Sequence, residues 1–148
     1  MEETFPYENR EQLYNFLIED FGFIKQEENY SAQSFGNYYI LLYSNVFLLR
    51  YIQDRLFLTI EIASHSDPSH WYDLSFIENF IYRPDNINSD DQPISVKKRI
   101  EDLNNFLKND FELISDLFDK ENFQNTQKKI DKLLRQQFDQ RFPGAIQQ

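Results

Sequence analysis

The sequence predicts an α+β fold: an N-terminal helix, an antiparallel meander sheet of three to four strands, then three C-terminal helices packed on the sheet. Three observations carry this. Apolar residues recur every three to four positions at both ends of the chain and every second position in the middle. The central strands are joined by turns of two or three residues, which forces antiparallel neighbours. Strands and helices do not alternate, so helices segregated from an antiparallel sheet are expected, and a parallel sheet with a dinucleotide crevice is not. The 148 residues read as one globular domain over positions 1–148. A chain of this size buries about 70% of the surface its unfolded form exposes.

The elements follow in order. Residues 8–21 form the first helix, with Leu13, Phe16, Leu17 and Phe21 on one stripe. Glu8 and Glu11 suit the positive end of its dipole, and Gly22 suits a left-handed cap. Residues 23–30 are polar and mixed, which fits a short or edge strand. Residues 38–43 and 46–52 flank Ser44-Asn45, a pair made for a tight turn. Gln53-Asp54-Arg55 then turns the chain into residues 56–63. There Leu56, Leu58, Ile60 and Ile62 point one way, and Phe57, Thr59 and Glu61 the other. Asp67-Pro68 reads as a helix start, a side-chain cap followed by a proline that fits the first turn. The helix is predicted over residues 68–82, with Leu74, Ile77, Phe80 and Ile81 inward. Residues 83–94 are a loop bracketed by Pro84 and Pro93. Ser95 caps a helix bearing Ile100, Leu103, Phe106, Leu107, Phe111, Ile114, Leu117 and Phe118, with a break point at Lys108-Asn109-Asp110. A last helix over residues 125–142 turns Ile130, Leu133, Leu134 and Phe138 inward, and Pro143-Gly144 stops it.

Composition removes several function classes. Hydrophobic residues at 41% and charged residues at 27% are ordinary for a folded domain and exclude a disordered chain. Without cysteine there is no disulfide, zinc–thiolate site, iron–sulfur cluster or thiol nucleophile. Fifteen basic against 25 acidic residues give a net charge of −10, the wrong sign for a direct nucleic-acid binder. The three glycines, Gly22, Gly36 and Gly144, cannot make a phosphate-cradling loop, and neither a G-x-S-x-G elbow nor H-E-x-x-H occurs. No cofactor is expected. Residues 1–6 lack a basic region leading into an apolar run, and the longest apolar run, residues 38–43, is too short for a bilayer. A cytoplasmic location without membrane contact is the expectation. Aromatics reach 17%, from 15 Phe, 9 Tyr and 1 Trp, more than a small core hides. Some tyrosines should stand at the surface, where ring and hydroxyl suit a protein partner. Any single Tyr equally suits a half-buried strand position.

One cluster carries candidate chemistry: His65, Asp67, His70 and Asp73. As a divalent-metal site it would sit at a strand-to-helix junction, with His70 and Asp73 sharing a helical face. The simpler reading has Asp67 as cap, His70 exposed on the first turn and Asp73 favouring the dipole. Trp71, next to it, is expected to anchor into the sheet by core or staple packing rather than serve as a ligand platform. Arg50 shares a face with Val46, Leu48 and Ile52, which predicts a half-exposed sheet face and a pairing with Glu61 or a partner's carboxylate. The acidic pairs Glu2-Glu3, Glu27-Glu28 and Asp90-Asp91 read as solvated surface rather than as catalytic acids. Charge is polarised along the chain. Residues 1–30 hold eight acids and two bases, and residues 120–141 hold six bases and three acids. An acidic surface steers association with a basic partner.

The run Phe35-Gly36-Asn37-Tyr38-Tyr39, the turn Leu49-Arg50-Tyr51-Ile52-Gln53-Asp54-Arg55, and Trp71-Tyr72-Asp73-Leu74 resemble patterns in small bacterial proteins. So do Phe106-Leu107-Lys108-Asn109, Asp116-Leu117-Phe118 and Arg141-Phe142-Pro143-Gly144. Together they span residues 35–144 and are similar to immunity proteins of polymorphic and contact-dependent toxin systems. These motifs are turns and anchors, so the resemblance maps no functional residue onto this chain. It implies a small acidic cytoplasmic protein that blocks a toxin, often a basic nuclease. The expected function is therefore a stoichiometric inhibitor that occludes a basic partner through Glu27, Glu28, Tyr30, Asp85, Asp90 and Asp91. The alternatives are a small metal-dependent or acid–base enzyme around His65, His70 and Asp73, and an adaptor subunit.

Overall fold

A computed structural model describes residues 5–87 and 95–141, and across them the element order follows the prediction. A short 3-10 turn, Tyr7–Asn9, leads into α1, Glu11–Phe21. Gly22 adopts φ 75°, and the Phe23 N–H donates to the Leu17 carbonyl at 3.1 Å, closing the helix as the left-handed cap requires. Four long strands follow: β1 Ile24–Ser31, β2 Asn37–Tyr43, β3 Leu48–Asp54 and β4 Phe57–Ala63. A two-residue strand, β5 Tyr72–Asp73, then precedes α2, Leu74–Tyr82. From Ser95 on come α3 Val96–Asn109, α4 Phe111–Phe118 and α5 Phe123–Arg141.

The five strands form one sheet in the order β1-β2-β3-β4-β5, every neighbour antiparallel. Residues 23–30 do join the sheet, as its first edge. The fifth strand is an addition: two residues are too few to show a period, and only their pairing with Glu61 and Ile62 reveals them. Register puts Ile40, Tyr51 and Ile60 side by side, with Leu42, Leu49 and Ile62 in the next row. All six are fully buried. This inner face packs against Leu13, Tyr14 and Leu17 of α1, Leu74 and Ile77 of α2, and Leu103, Leu107, Ile114 and Phe118 of α3 and α4.

Helix starts differ from expectation: α1 begins at Glu11 rather than residue 8, α5 at Phe123 rather than residue 125, and α2 differs most. The helix predicted from Pro68 begins at Leu74, and its cap is Asp73, whose carboxylate accepts from the Ser75 N–H at 2.9 Å. Residues 64–70 instead make turns, because Ser64 Oγ is taken by the Phe118 carbonyl at 2.7 Å and the chain must still pair as β5. His70 therefore precedes the helix and shares no helical face with Asp73. The long helix after Ser95 is divided at Asp110, the predicted break, and Ser95 Oγ accepts from the Lys98 N–H at 3.1 Å. In α5, Ile130 is buried and Leu133 and Leu134 are partly so, but Phe138 is 44% exposed. Pro143 and Gly144 lie outside the described residues. No helix among the described residues is long and apolar enough to cross a membrane.

The edge strand β1 is blunted. A bulge shifts its register between Lys25 and Glu27, and its side chains are mostly charged or polar. Both devices discourage pairing with another strand.

Candidate functional site

The β1–β2 and β3–β4 hairpins end on the same side of the sheet, because Ser31 pairs with Asn37, Tyr38 with Gln53, and Asp54 with Phe57. Asn37 ties the two ends together. Its Oδ1 accepts from the Arg55 N–H at 2.7 Å, and its Nδ2 donates to Asp54 Oδ1 at 3.3 Å. Phe35 and Arg55 both hold positive φ, 63° and 59°, a conformation that side chains other than glycine rarely adopt. The Arg55 guanidinium lies 5.2 Å from the Phe35 ring centroid.

Large apolar side chains are exposed at this end of the sheet, Phe57 on its outer face and Tyr30 on its inner one. Phe35 is 74% exposed, Phe57 72%, Leu56 56% and Tyr30 47%. Beside them, Phe5, Pro6, Tyr7, Glu8, Tyr30, Phe35, Gly36 and Gln53 line an open cavity of about 260 Å³. The N-terminal segment forms its wall because it is pinned from below. The Tyr38 hydroxyl donates to the Phe5 carbonyl at 2.8 Å, and the Phe5 N–H donates to Gln53 Oε1 at 3.3 Å. Burial pushes the Tyr38 hydroxyl far above its ordinary range, so it remains a donor. Tyr7 stacks on Tyr30 with centroids 4.0 Å apart, while Arg10 covers Tyr7 at 4.0 Å.

The residues expected to bind a partner are placed differently from one another. Tyr30 lines the cavity. Glu27 points to the outer face of the sheet and accepts from the Tyr39 hydroxyl. Glu28 points to the inner face and is not the solvated surface acid that the sequence predicts. Its side chain is only 16% exposed, and Arg10 Nε at 2.9 Å, Lys25 Nζ at 2.7 Å and the Tyr7 hydroxyl all converge on it. Alternation along a strand separates neighbouring side chains to opposite faces, so an acidic pair in sequence is not a pair in space. Asp85 is exposed in the 3-10 turn Pro84–Asn86, which packs on α2 and α5, away from the Glu27–Tyr30 strand. Asp90 and Asp91 lie outside the described residues.

Burial alone would raise the Glu28 carboxyl, but the bonds from Lys25, Tyr7 and Arg10 outweigh it and hold it down to about 2. A carboxyl held lower when folded contributes stability that is present above its free value of 4.5 and lost as the pH falls through about 2. Glu28→Gln is expected to cost about 1–2 kcal/mol at pH 7, the value of hydrogen bonds to a charged acceptor that is partly screened. Thermal melts at a series of pH values should show the gap from the native chain closing between pH 4.5 and 2. A gap independent of pH would show that packing, not charge, is what the substitution removes.

The His65, His70 and Asp73 group is not assembled. His65 bonds the Ser44 carbonyl through Nε2 at 2.6 Å and meets Tyr43 edge-on. His70 stacks on Tyr72 at 4.5 Å, with Asp67 at 3.8 Å, and Asp73 caps α2. Among the described residues no group of three or more His, Asp or Glu side chains is placed to hold a metal ion.

The outer sheet face carries the predicted cation. Arg50 Nε meets Glu61 Oε1 at 2.6 Å, directly across the β3–β4 pair, and both are half-exposed. Trp71 lies over the Arg50 guanidinium at 4.2 Å, so it anchors on the sheet through the ion pair rather than in the core.

Sequence reasoning missed Phe5, Pro6, Phe35, Leu56 and Phe57 as a surface. Phe35 and Phe57 read locally as turn and strand residues, and that both stand exposed at the same end of the sheet depends on hairpin register. The signal available was the excess of aromatics over what the core holds. No protein-family model matches the chain, and comparison with curated proteins and with solved structures finds no match.

Proposed function

We propose that the chain is a non-enzymatic acidic binding protein of the immunity type, which neutralises a basic bacterial toxin in the cytoplasm by forming a stoichiometric complex. The observation that supports this reading is the set of large apolar side chains exposed at the hairpin ends. Four of the eight large apolar side chains exposed among the described residues lie there. Burying a side chain of this size is worth about 1.5–3 kcal/mol, so Phe35 and Phe57 left in water forgo energy that a partner would recover. Aromatic centres ringed by polar residues are the usual anatomy of an interface core. The net charge of −10 favours a basic partner and a fast, salt-dependent encounter.

The test is a tagged pull-down from native cells at low and high salt, with mass spectrometry of the eluate and a parallel Phe35→Ser/Phe57→Ser variant. The expected result is one basic protein in near-equal amount, weakened by salt and lost with the double variant. The recovered partner should be toxic when expressed alone and inactive in the complex. No stoichiometric partner at either salt, or a partner held equally well by the variant, overturns the proposal.

A further inference from the structure

We infer that the cavity between the N-terminal segment and the hairpin ends receives an arginine side chain of the basic partner; this rests on the binding function proposed above. At about 260 Å³ the cavity lies below the range of small-molecule sites, roughly 300–1,000 Å³, and suits one long side chain. Four of its eight lining residues are aromatic, Phe5, Tyr7, Tyr30 and Phe35; Tyr7 is already stacked on Tyr30 and covered by Arg10, which leaves Phe35 and the other face of Tyr30 for a guest. Aromatic faces attract guanidinium groups through the ring quadrupole. The molecule already uses its own rings in this way, with Arg10 on Tyr7 at 4.0 Å and Arg55 on Phe35 at 5.2 Å.

Two groups at the cavity favour a cation. Glu8 lines it, is exposed, and has no ion pair among the described residues. The Tyr30 hydroxyl likewise has no hydrogen-bond partner among them. The charge of Arg10, which covers Tyr7, is matched by Glu28 at 2.9 Å. Arg55 remains as the competing cation, seated where an incoming guanidinium would stack on Phe35. Opposite effects therefore follow from two exposed charges: Glu8 assists the guest, and Arg55 opposes it.

The probes are Nα-acetyl-arginine amide and its neutral counterpart Nα-acetyl-citrulline amide, titrated into the full chain while the aromatic ring signals are followed by NMR. Saturable shifts confined to Tyr7, Tyr30 and Phe35 are expected with the arginine compound, and several-fold weaker binding with citrulline. Glu8→Gln should weaken arginine binding about two- to fivefold, and Arg55→Gln should tighten it by a similar factor, the range of an exposed charge contact. Both side chains are at the surface, so circular dichroism should show the fold intact. Equal shifts with citrulline, shifts spread over the acidic surface, or Glu8→Gln without effect overturns the inference. The same two variants in the pull-down separate the two claims. A stoichiometric partner indifferent to both removes the arginine pocket and leaves the binding function. Selective arginine binding with no partner does the reverse.

Discussion

Phe118→Ala is expected to lower the unfolding free energy by about 3–5 kcal/mol, the cost of emptying a large aromatic site that its surroundings cannot refill. Phe118 is fully buried at the end of α4 and touches three other aromatic rings: Phe123 at 5.3 Å, Tyr72 at 6.2 Å and Phe47 at 6.5 Å. These rings come from α5, β5 and the β2–β3 turn, so one side chain links four parts of the chain. Its own carbonyl accepts the Ser64 hydroxyl at 2.7 Å, which holds the end of β4 against α4. Collapse into the cavity would have to move all of these together. Domains of this kind are stable by about 5–15 kcal/mol, so the loss is a large share of the total. Urea unfolding followed by far-ultraviolet circular dichroism measures it. Phe118→Leu should cost clearly less, because it keeps part of the contact. A loss below about 1 kcal/mol for the alanine variant would show that the neighbouring rings close the gap.

Asn104→Leu is expected to cost about 2–3 kcal/mol, and for a different reason. Asn104 Oδ1 accepts the Tyr51 hydroxyl at 2.9 Å, and its Nδ2 donates to the Leu13 carbonyl at 2.9 Å. One amide therefore joins β3, α1 and α3. Tyr51 is fully buried, and that burial pushes its hydroxyl far above its ordinary range, leaving it a neutral donor in need of an acceptor. Leucine supplies none, and a stranded buried hydroxyl costs about 1–3 kcal/mol. The Leu13 carbonyl is less exposed to loss, since it also sits within the α1 ladder. Tyr51→Phe removes the stranded group, so Asn104→Leu/Tyr51→Phe should recover part of the loss. That non-additivity, read from denaturation midpoints of the four chains, is the signature of a direct bond. Strict additivity would mean that the two side chains act independently.

How far the sequence could be read depends on the kind of signal. The central strands were legible because Leu58, Ile60 and Ile62 alternate with Thr59 and Glu61, and alternation needs no knowledge of tertiary structure. The Arg50–Glu61 pair was legible for the same reason, since a two-residue turn sets the register. The start of α2 was misread because Asp67-Pro68 and Asp73 are both competent caps, and only the pairing of Tyr72 with Ile62 decides between them. Glu28 was misread because its partners, Arg10 and Tyr7, lie 18 and 21 positions away and reach it only after α1 folds back on β1. The hairpin-end surface was out of reach, since it joins residues 5–8, 30–36 and 53–57 by register and by a backbone bond to Asn37.

Strand order identical to sequence order has a kinetic consequence. Every pairing in the four long strands joins consecutive segments, from Asp54 with Phe57 to Ile24 with Tyr43, so each closes a short loop. Short loops cost little entropy, and ladders built from them form quickly. The part of the inner-face cover that α3 and α4 supply is assembled by a much longer search, typified by the bond between Leu13 and Asn104 across 91 positions. During synthesis the ladder can therefore zip hairpin by hairpin well before α3 and α4 emerge. In that interval the row of Ile40, Tyr51 and Ile60 has only α1, through Tyr14 on Tyr51, as cover, and the part that α3 and α4 will bury stays exposed to association with other chains.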